Sequence, residues 1–363
     1  MKLALSIAIL LAFSAISHGQ SGRVQPTPTP EESLKVVTEE IKLNVLAFDT
    51  DGNFFRDVTA NDVIIAENNV LHQPTSVRRI PANVLIVMDT GGELRFVKSL
   101  DRTRQVAKAV VTALRPDDSV AVMQYSDNAE IISEWSSDRT AALNAIMRAK
   151  FGRRSLFVDA LKLAREFLIK NPADNRHIVL ITDGTDSMGR ASAKFDAIQE
   201  LLATDISVHV ISYTALEAAD IEPRTKGTSK MPPPKAMPDE IQATLPNGVR
   251  DKGVKVGPTI NMDRTFLRRM RARQNDLEAS QQQLSTLAEN TNGEFILPET
   301  TDEMLEKAPL VARMIDAAYV VTYMPKLPVV ETRGLAERSI DVTSKRAGLV
   351  VQARRKLLVK TDD

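Results

Sequence analysis

The chain has 363 residues, 43% hydrophobic and 26% charged, a composition that excludes disorder throughout and leaves room for about two domains. Lysine plus arginine and aspartate plus glutamate each total 47, so no net field selects nucleic acid or anionic lipid, and recognition must come from a local site. Cysteine is absent, which excludes disulfides and a lipidated cysteine and leaves stability to packing.

Lys2, the apolar run Leu3 to Ile16 and the small residues Ser17 and Gly19 read as a secretory signal over residues 1–19, so export to the periplasm or beyond the cell is expected. The run is shorter than the ~20 residues that span a bilayer, and no second candidate exists, so no membrane span is expected after cleavage. Alternating Pro and Thr in Gln25 to Glu32 make residues 20–34 an extended linker. From Lys35 the pattern has period two: Ile41, Leu43, Val45 and Ala47 alternate with other residues, and Asp49 to Gly52 and Asn68-Asn69 supply turns. Residues 35–80 are therefore expected to form a small antiparallel β unit.

Over residues 81–319 short apolar runs alternate with amphipathic helices, the pattern of an α/β fold with a Rossmann-like, doubly wound, mostly parallel sheet. The strand runs are Val84 to Met88, Ser119 to Tyr125, Glu130 to Trp135, His177 to Thr182, Ile206 to Ser212 and Glu294 to Leu297. Only Ser126 to Asn128 separate Tyr125 from the next run, too few for a parallel crossover, so that pair is a hairpin and gives the sheet one antiparallel edge. Pro-rich residues 215–262 interrupt the rhythm and are expected to be a disordered loop. Helical spacing resumes with Leu267, Met270, Leu277, Leu284 and Leu287. Arg264, Arg268, Arg269, Arg271 and Arg273 crowd that helix's first half as a solvated face, an acidic partner being the alternative. After Tyr319 the strands Val320 to Tyr323, Ile340 to Val342 and Leu349 to Val351 make residues 320–363 a C-terminal β segment. Its strands are expected to pair with the unit before residue 80, so that one small β-sandwich flanks the α/β region; two separate appendages are the alternative.

The candidate site lies where strand Val84 to Met88 ends in Asp89, Thr90, Gly91, Gly92 and Glu93, because ligands of open α/β sheets collect at the carboxyl ends of the strands. A second loop brings Gly152, Arg153, Arg154 and Ser155 to the same edge, and a third brings Asp183, Gly184, Thr185 and Asp186. Carboxylates and a hydroxyl converging there are hard oxygen ligands suited to Mg²⁺, Ca²⁺ or Mn²⁺. Each residue also has a purely structural reading: Glu93 favours a helix N-terminus, Ser155 is a natural N-cap, Asp183-Gly184 is turn chemistry, and Gly91 permits a turn.

These residues resemble the von Willebrand factor type A domain, whose metal-ion-dependent adhesion site is written Asp-x-Ser-x-Ser, a Thr on a second loop and an Asp on a third. Asp89 falls on the first Asp, Ser155 on the Thr and Asp183 on the last Asp, and residues 83–212 carry the likeness. The flanks IKLNVLAFDTDG and YVVTYMP are similar to a variant of the family found in exported bacterial proteins. The resemblance implies a divalent ion held by Asp89, Glu93, Ser155 and Asp183, whose open position accepts an acidic residue of a protein partner. The departures are that Gly91 and Glu93 replace both family serines and that Arg153 and Arg154 stand where the family has glycine. A guanidinium can bridge carboxylates, so Gly91, Arg153, Arg154 and Asp186 are candidates for partner binding or for replacing the metal, and the site is then metal-free.

A protein-binding module is the leading function, an envelope assembly protein with a vestigial site the alternative, and a metal-dependent hydrolase the least supported. Phosphotransfer of the haloacid dehalogenase type needs an Asp at the position of Gly91. A serine hydrolase needs a Gly-x-Ser-x-Gly elbow, and His177 and His209 fall within apolar strands.

Overall fold

A computed structural model describes residues 40–92, 97–229, 259–260, 263–326 and 335–360. The leader and linker expected over residues 1–34 lie outside these, as does the loop expectation for 230–258. In chain order the strands are β1 (Ile41–Phe48), β2 (Val63–Glu67), β3 (Val70–His72), β4 (Ser76–Arg78) and β5 (Asn83–Asp89). There follow α1 (Leu100–Ala113), β6 (Ser119–Tyr125), β7 (Ala129–Ser136), α2 (Arg139–Arg148), α3 (Phe157–Lys170), β8 (Arg176–Thr182), α4 (Ala191–Leu202) and β9 (Ser207–Ser212). The remainder is α5 (Thr214–Ile221), β10 (Thr228–Ser229), β11 (Thr259–Ile260), α6 (Arg264–Asn290), β12 (Phe295–Ile296), α7 (Thr301–Asp316), β13 (Ala318–Tyr323), β14 (Leu335–Ser344), β15 (Val350–Gln352) and β16 (Lys356–Lys360).

The central sheet has the order β12-β9-β8-β5-β6-β7, with β7 antiparallel to β6 and the other pairs parallel. Strand β5 runs through its middle and is apolar on both faces because both are covered. Val84, Ile86 and Met88 join α1, α2 and α7 in one core, while Leu85 and Val87 join α3, α4 and α6 in the other. Each of these five side chains is fully buried, and burying one stabilises the fold by roughly 1.5–3 kcal/mol. The covering helices begin on side-chain caps where the sequence supplies them: Ser99, Asp138, Asp263 and Thr300 each accept a backbone N–H of the first turn. Ser155 is not among them. The N-cap position of α3 is Leu156, with no side-chain cap bond, which leaves the Ser155 hydroxyl available to the site.

Residues 215–229, expected within a disordered loop, are ordered instead. They form α5, a 3₁₀ turn at Glu222–Thr225 with Pro223 in its first turn, and strand β10. A proline there loses no helical hydrogen bond. Buried Ile221 packs with Met270 and Leu277 of α6, so apolar packing overrides the loop-like composition.

The strands before β5 and after α7 form two four-stranded antiparallel sheets, β15-β1-β13-β4 and β16-β14-β2-β3. Ile41 of β1 pairs with Tyr323 of β13, and Val63 of β2 with Ser344 of β14. Their inner residues, among them Leu43, Val45, Val63, Ile65, Val321 and Ile340, make a single core. The α/β region is thus inserted between chain-remote halves of a β-sandwich. Asn292 Nδ2 donates to the carbonyls of Asn44 and Gln352 at 3.0 and 3.1 Å, and Arg354 Nη1 donates to Thr204 O at 2.6 Å, tying the two parts together.

His177 and His209 are buried in β8 and β9 as a hydrogen-bonded pair. The Glu294 N–H donates to His209 Nδ1 at 3.0 Å, so His209 carries its proton on Nε2 and donates it to His177 Nδ1 at 3.1 Å. His177 Nε2–H then donates to Asn175 Oδ1 at 2.9 Å. This ordered chain fixes both rings as neutral tautomers.

No helix among the described residues is long and apolar enough to cross a membrane.

Candidate functional site

The β5 strand delivers Asp89 to the carboxyl edge of the sheet with 0% exposure, and β8 delivers Asp183 with 1%. Ser155, on the loop before α3, donates its Oγ–H to Asp89 Oδ1 at 2.8 Å. The three loops singled out from sequence therefore meet.

The cation between the acids is neither Arg153 nor Arg154. Lys98 Nζ lies 2.6 Å from Asp89 Oδ2 and 3.0 Å from Asp183 Oδ2, and all three side chains are at most 1% exposed. The main chain at Lys98 is itself held: the N–H groups of Val97 and Lys98 donate to Glu217 Oε1 of α5 at 3.1 and 2.7 Å. A second cation comes from α6, where Arg273 Nη2 donates to Asp183 Oδ2 at 3.1 Å and Nη1 to Thr185 Oγ1 at 2.6 Å. Asp89 and Asp183 are thus paired with two cations, Lys98 and Arg273.

Every acceptor direction of the two acids is in use. Asp89 accepts from Gly91 N and Ser155 Oγ on Oδ1, and from Lys98 Nζ and Thr182 Oγ1 on Oδ2. Asp183 accepts from Thr185 N and Oγ1 on Oδ1, and from Lys98 Nζ and Arg273 Nη2 on Oδ2. A carboxylate offers about four such directions. Thr182 is equally complete: it donates to Asp89, accepts from Gly184 N at 2.7 Å and accepts from Tyr125 O–H at 2.6 Å. Burial alone would raise the Asp183 carboxyl, but the Lys98 ammonium and the Arg273 guanidinium outweigh it and hold it well below the usual carboxylate range. Burial, with Asp89 and Asp183 nearby, pushes the Tyr125 phenol well up, so it stays a neutral donor. Burial also raises Glu217.

Gly91, Asp186 and the backbone of Arg153 and Arg154 serve the scaffold. A Cβ at Gly91 would stand 1.6 Å from Arg154 O, so no side chain, serine included, fits there while the loop before α3 keeps its position. Arg153 and Arg154 donate their backbone N–H groups to the Asp127 carboxylate at 3.1 and 3.0 Å, and their side chains are exposed. Asp186 is paired with Arg190 at 3.0 Å and accepts from Val158 N in the first turn of α3 at 3.3 Å. Glu93 lies outside the described residues.

This donor set does not fit a divalent ion. Mg²⁺ needs oxygens at about 2.0–2.1 Å and Ca²⁺ at about 2.3–2.6 Å, and an ammonium group occupies the space between Asp89 and Asp183. Among the described residues no group of three or more His, Cys, Asp or Glu side chains is placed to hold a metal.

Sequence reading does not find Lys98 or Glu217, and it assigns Arg273 to a solvated face, whereas its side chain is 13% exposed and paired with Asp183. Arg273 carried a usable signal, since it falls three residues after Met270 and four before Leu277, both buried on the inner stripe of α6. Lys98 carried none: it sits between Val97 and Leu100 as an ordinary surface lysine would.

The von Willebrand factor type A domain model matches residues 84–185. No curated protein matches the chain. Among solved structures, a von Willebrand factor type A protein from Catenulispora acidiphila is 11% identical with a TM-score of 0.41, covering 91% of this chain and 76% of its own. The conserved hypothetical protein BatB from Bacteroides thetaiotaomicron is 16% identical with a TM-score of 0.36, covering 64% and 98%. Manganese-loaded TRAP protein from Plasmodium vivax is 9% identical with a TM-score of 0.36, covering 87% and 97%. Likenesses at this level say nothing about ligand or partner. The sequence match falls on the segment that runs from β5 to the Asp183 loop, and over these residues, 84–185, the chain is similar to the von Willebrand factor type A domain.

Proposed function

We propose that the chain is an exported protein-binding module, not an enzyme, that seats an acidic segment of its partner in the groove between the carboxyl edge of the central sheet and α6. Domains of this family commonly mediate protein–protein interaction, and the charge of the groove supports the finer reading. The groove has a volume of about 710 Å³ and is lined in part by Arg154, Lys194 and Arg269. Among the described residues none of these three forms a salt bridge, and that unpaired cationic set carries the proposal.

Lys194 is the anchor of the set. It is 8% exposed, donates to Ser280 Oγ at 3.0 Å and lies 5.4 Å from the centroid of the Phe157 ring. An ammonium has three donors, so it can still serve an incoming carboxylate. Burial lowers it to about 8, against the pull of Asp183, Asp186 and Asp276, and it remains charged at neutral pH. Arg154 and Arg269 at the groove's rim add guanidinium groups, which match carboxylates bidentately.

The test is fluorescence anisotropy with a labelled peptide rich in Asp and Glu, against a Lys-rich peptide of equal length. The acidic peptide is expected to bind, more weakly as salt rises, and the double variant Arg154→Glu, Arg269→Glu is expected to weaken it by roughly tenfold or more. Equal binding of both peptides, or an acidic peptide indifferent to the double variant, would refute the reading.

A further inference from the structure

We infer that Lys98 is the site's permanent counter-ion: its ammonium takes the position in which a divalent cation would have to sit, so this domain works without metal. The inference bears on the same sheet edge as the acidic-partner proposal but is decided by ion binding alone, so each can fail without the other.

Three observations carry it. The first is saturation. From the described residues Asp89 and Asp183 each receive four hydrogen bonds, and one donor on each is Lys98 Nζ, at 2.6 and 3.0 Å. An ion reaching these oxygens must first expel the lysine.

The second is charge. Asp89 and Asp183 are matched by Lys98 and Arg273, and the ion pairs Lys98–Asp89, Lys98–Asp183 and Arg273–Asp183 link all four. Adding a divalent ion to these four groups would leave an excess of positive charge, even with the neighbouring Glu217 ionised, in a site whose acids are at most 1% exposed, which low-dielectric surroundings strongly disfavour.

The third is construction. The lysine is delivered by main chain fixed to Glu217, through the N–H groups of both Val97 and Lys98, so little ordering entropy remains to be lost when the ammonium docks. On the other side, Gly91 cannot acquire a ligating side chain, because a Cβ there would stand 1.6 Å from Arg154 O. The same sheet edge thus holds an internal cation firmly and denies an external one a ligand. Partner capture should accordingly be indifferent to chelators.

Mn²⁺ binding followed by electron paramagnetic resonance tests this on the full chain. Wild type is expected to leave millimolar Mn²⁺ free. Lys98→Ala, which removes the ammonium and opens its space, is expected to bind one equivalent at least tenfold more tightly than wild type, and adding Asp183→Asn to that variant should abolish the gain. A folded Lys98→Ala that takes up no more Mn²⁺ than wild type would overturn the inference, as would wild-type uptake of one equivalent that Asp183→Asn removes. Should Lys98→Ala fail to fold, the lysine ammonium resonances of ¹⁵N-labelled wild type decide. The expected result is a slowly exchanging NH₃⁺ signal that disappears in Lys98→Arg and is unmoved by millimolar Mg²⁺. Loss or displacement of that signal by Mg²⁺, or its absence from wild type, is the overturning result.

Discussion

Lys98→Met is expected to destabilise the protein by roughly 3–5 kcal/mol near neutral pH, because it removes one member of a buried ion pair and strands the other. Methionine preserves much of the side chain's length, so the loss comes from charge rather than from a cavity. Asp89 and Asp183 are 0% and 1% exposed on their side chains, and in the variant Arg273 is the one cation among the described residues still paired with either, at Asp183. Urea denaturation is the measurement. A change below about 1 kcal/mol, the ordinary range of an exposed pair, would show that the three groups do not form the buried cluster described above. The companion double variant Lys98→Met, Asp89→Asn removes the stranded charge as well. It should recover part of the loss, and the two substitutions are expected to be clearly non-additive because the groups are in direct contact.

Acidification from pH 6.5 towards pH 4.5 is expected to cost up to about 1.4 kcal/mol per pH unit for each of His177 and His209. Burial lowers both imidazoles, His177 with a further contribution from His209 and Arg115, and His209 to about 3. Unfolded, the same rings take up protons near pH 6.5. Below that pH the unfolded chain binds more protons than the folded one, so the histidines' share of stability is complete above pH 6.5 and is lost as pH falls. Glu217, Asp220 and Glu294 act in the opposite sense, since burial raises each of them. Their share is present at acid pH and is lost as pH rises through their folded values. The histidine part must therefore be read as a difference: the variant His177→Gln, His209→Gln should show a flatter stability profile between pH 6.5 and 4.5 than wild type. Parallel profiles would refute the assignment of two neutral, desolvated rings.

Much of the architecture was legible because local signals there agree with global packing. The unbroken apolar run of β5 reports a strand covered on both faces. The three residues between Tyr125 and Ala129 force a hairpin, and Ile41, Leu43 and Val45 alternate because one side of β1 faces a sandwich core. Composition misleads over residues 215–229 because proline and charge describe local preference, whereas the contact of Ile221 with Met270 and Leu277 is made across more than forty positions of chain. The site divides in the same way. Asp89, Ser155 and Asp183 are placed by strand ends and could be found from spacing. Lys98 is placed by the reach of a flexible side chain and by a hydrogen-bonded hold from Glu217, neither of which leaves a periodic trace. Arg153 and Arg154 drew attention by type and position, but it is their backbone N–H groups that do structural work, on Asp127.

The most direct test of an internally balanced site is a crystal structure of the protein soaked in Mn²⁺, with an anomalous difference map calculated at the manganese edge. The account predicts no peak between Asp89 and Asp183 and continuous density for Lys98 reaching both carboxylates. A manganese peak bonded to those two aspartates, with the Lys98 side chain turned away, would contradict it.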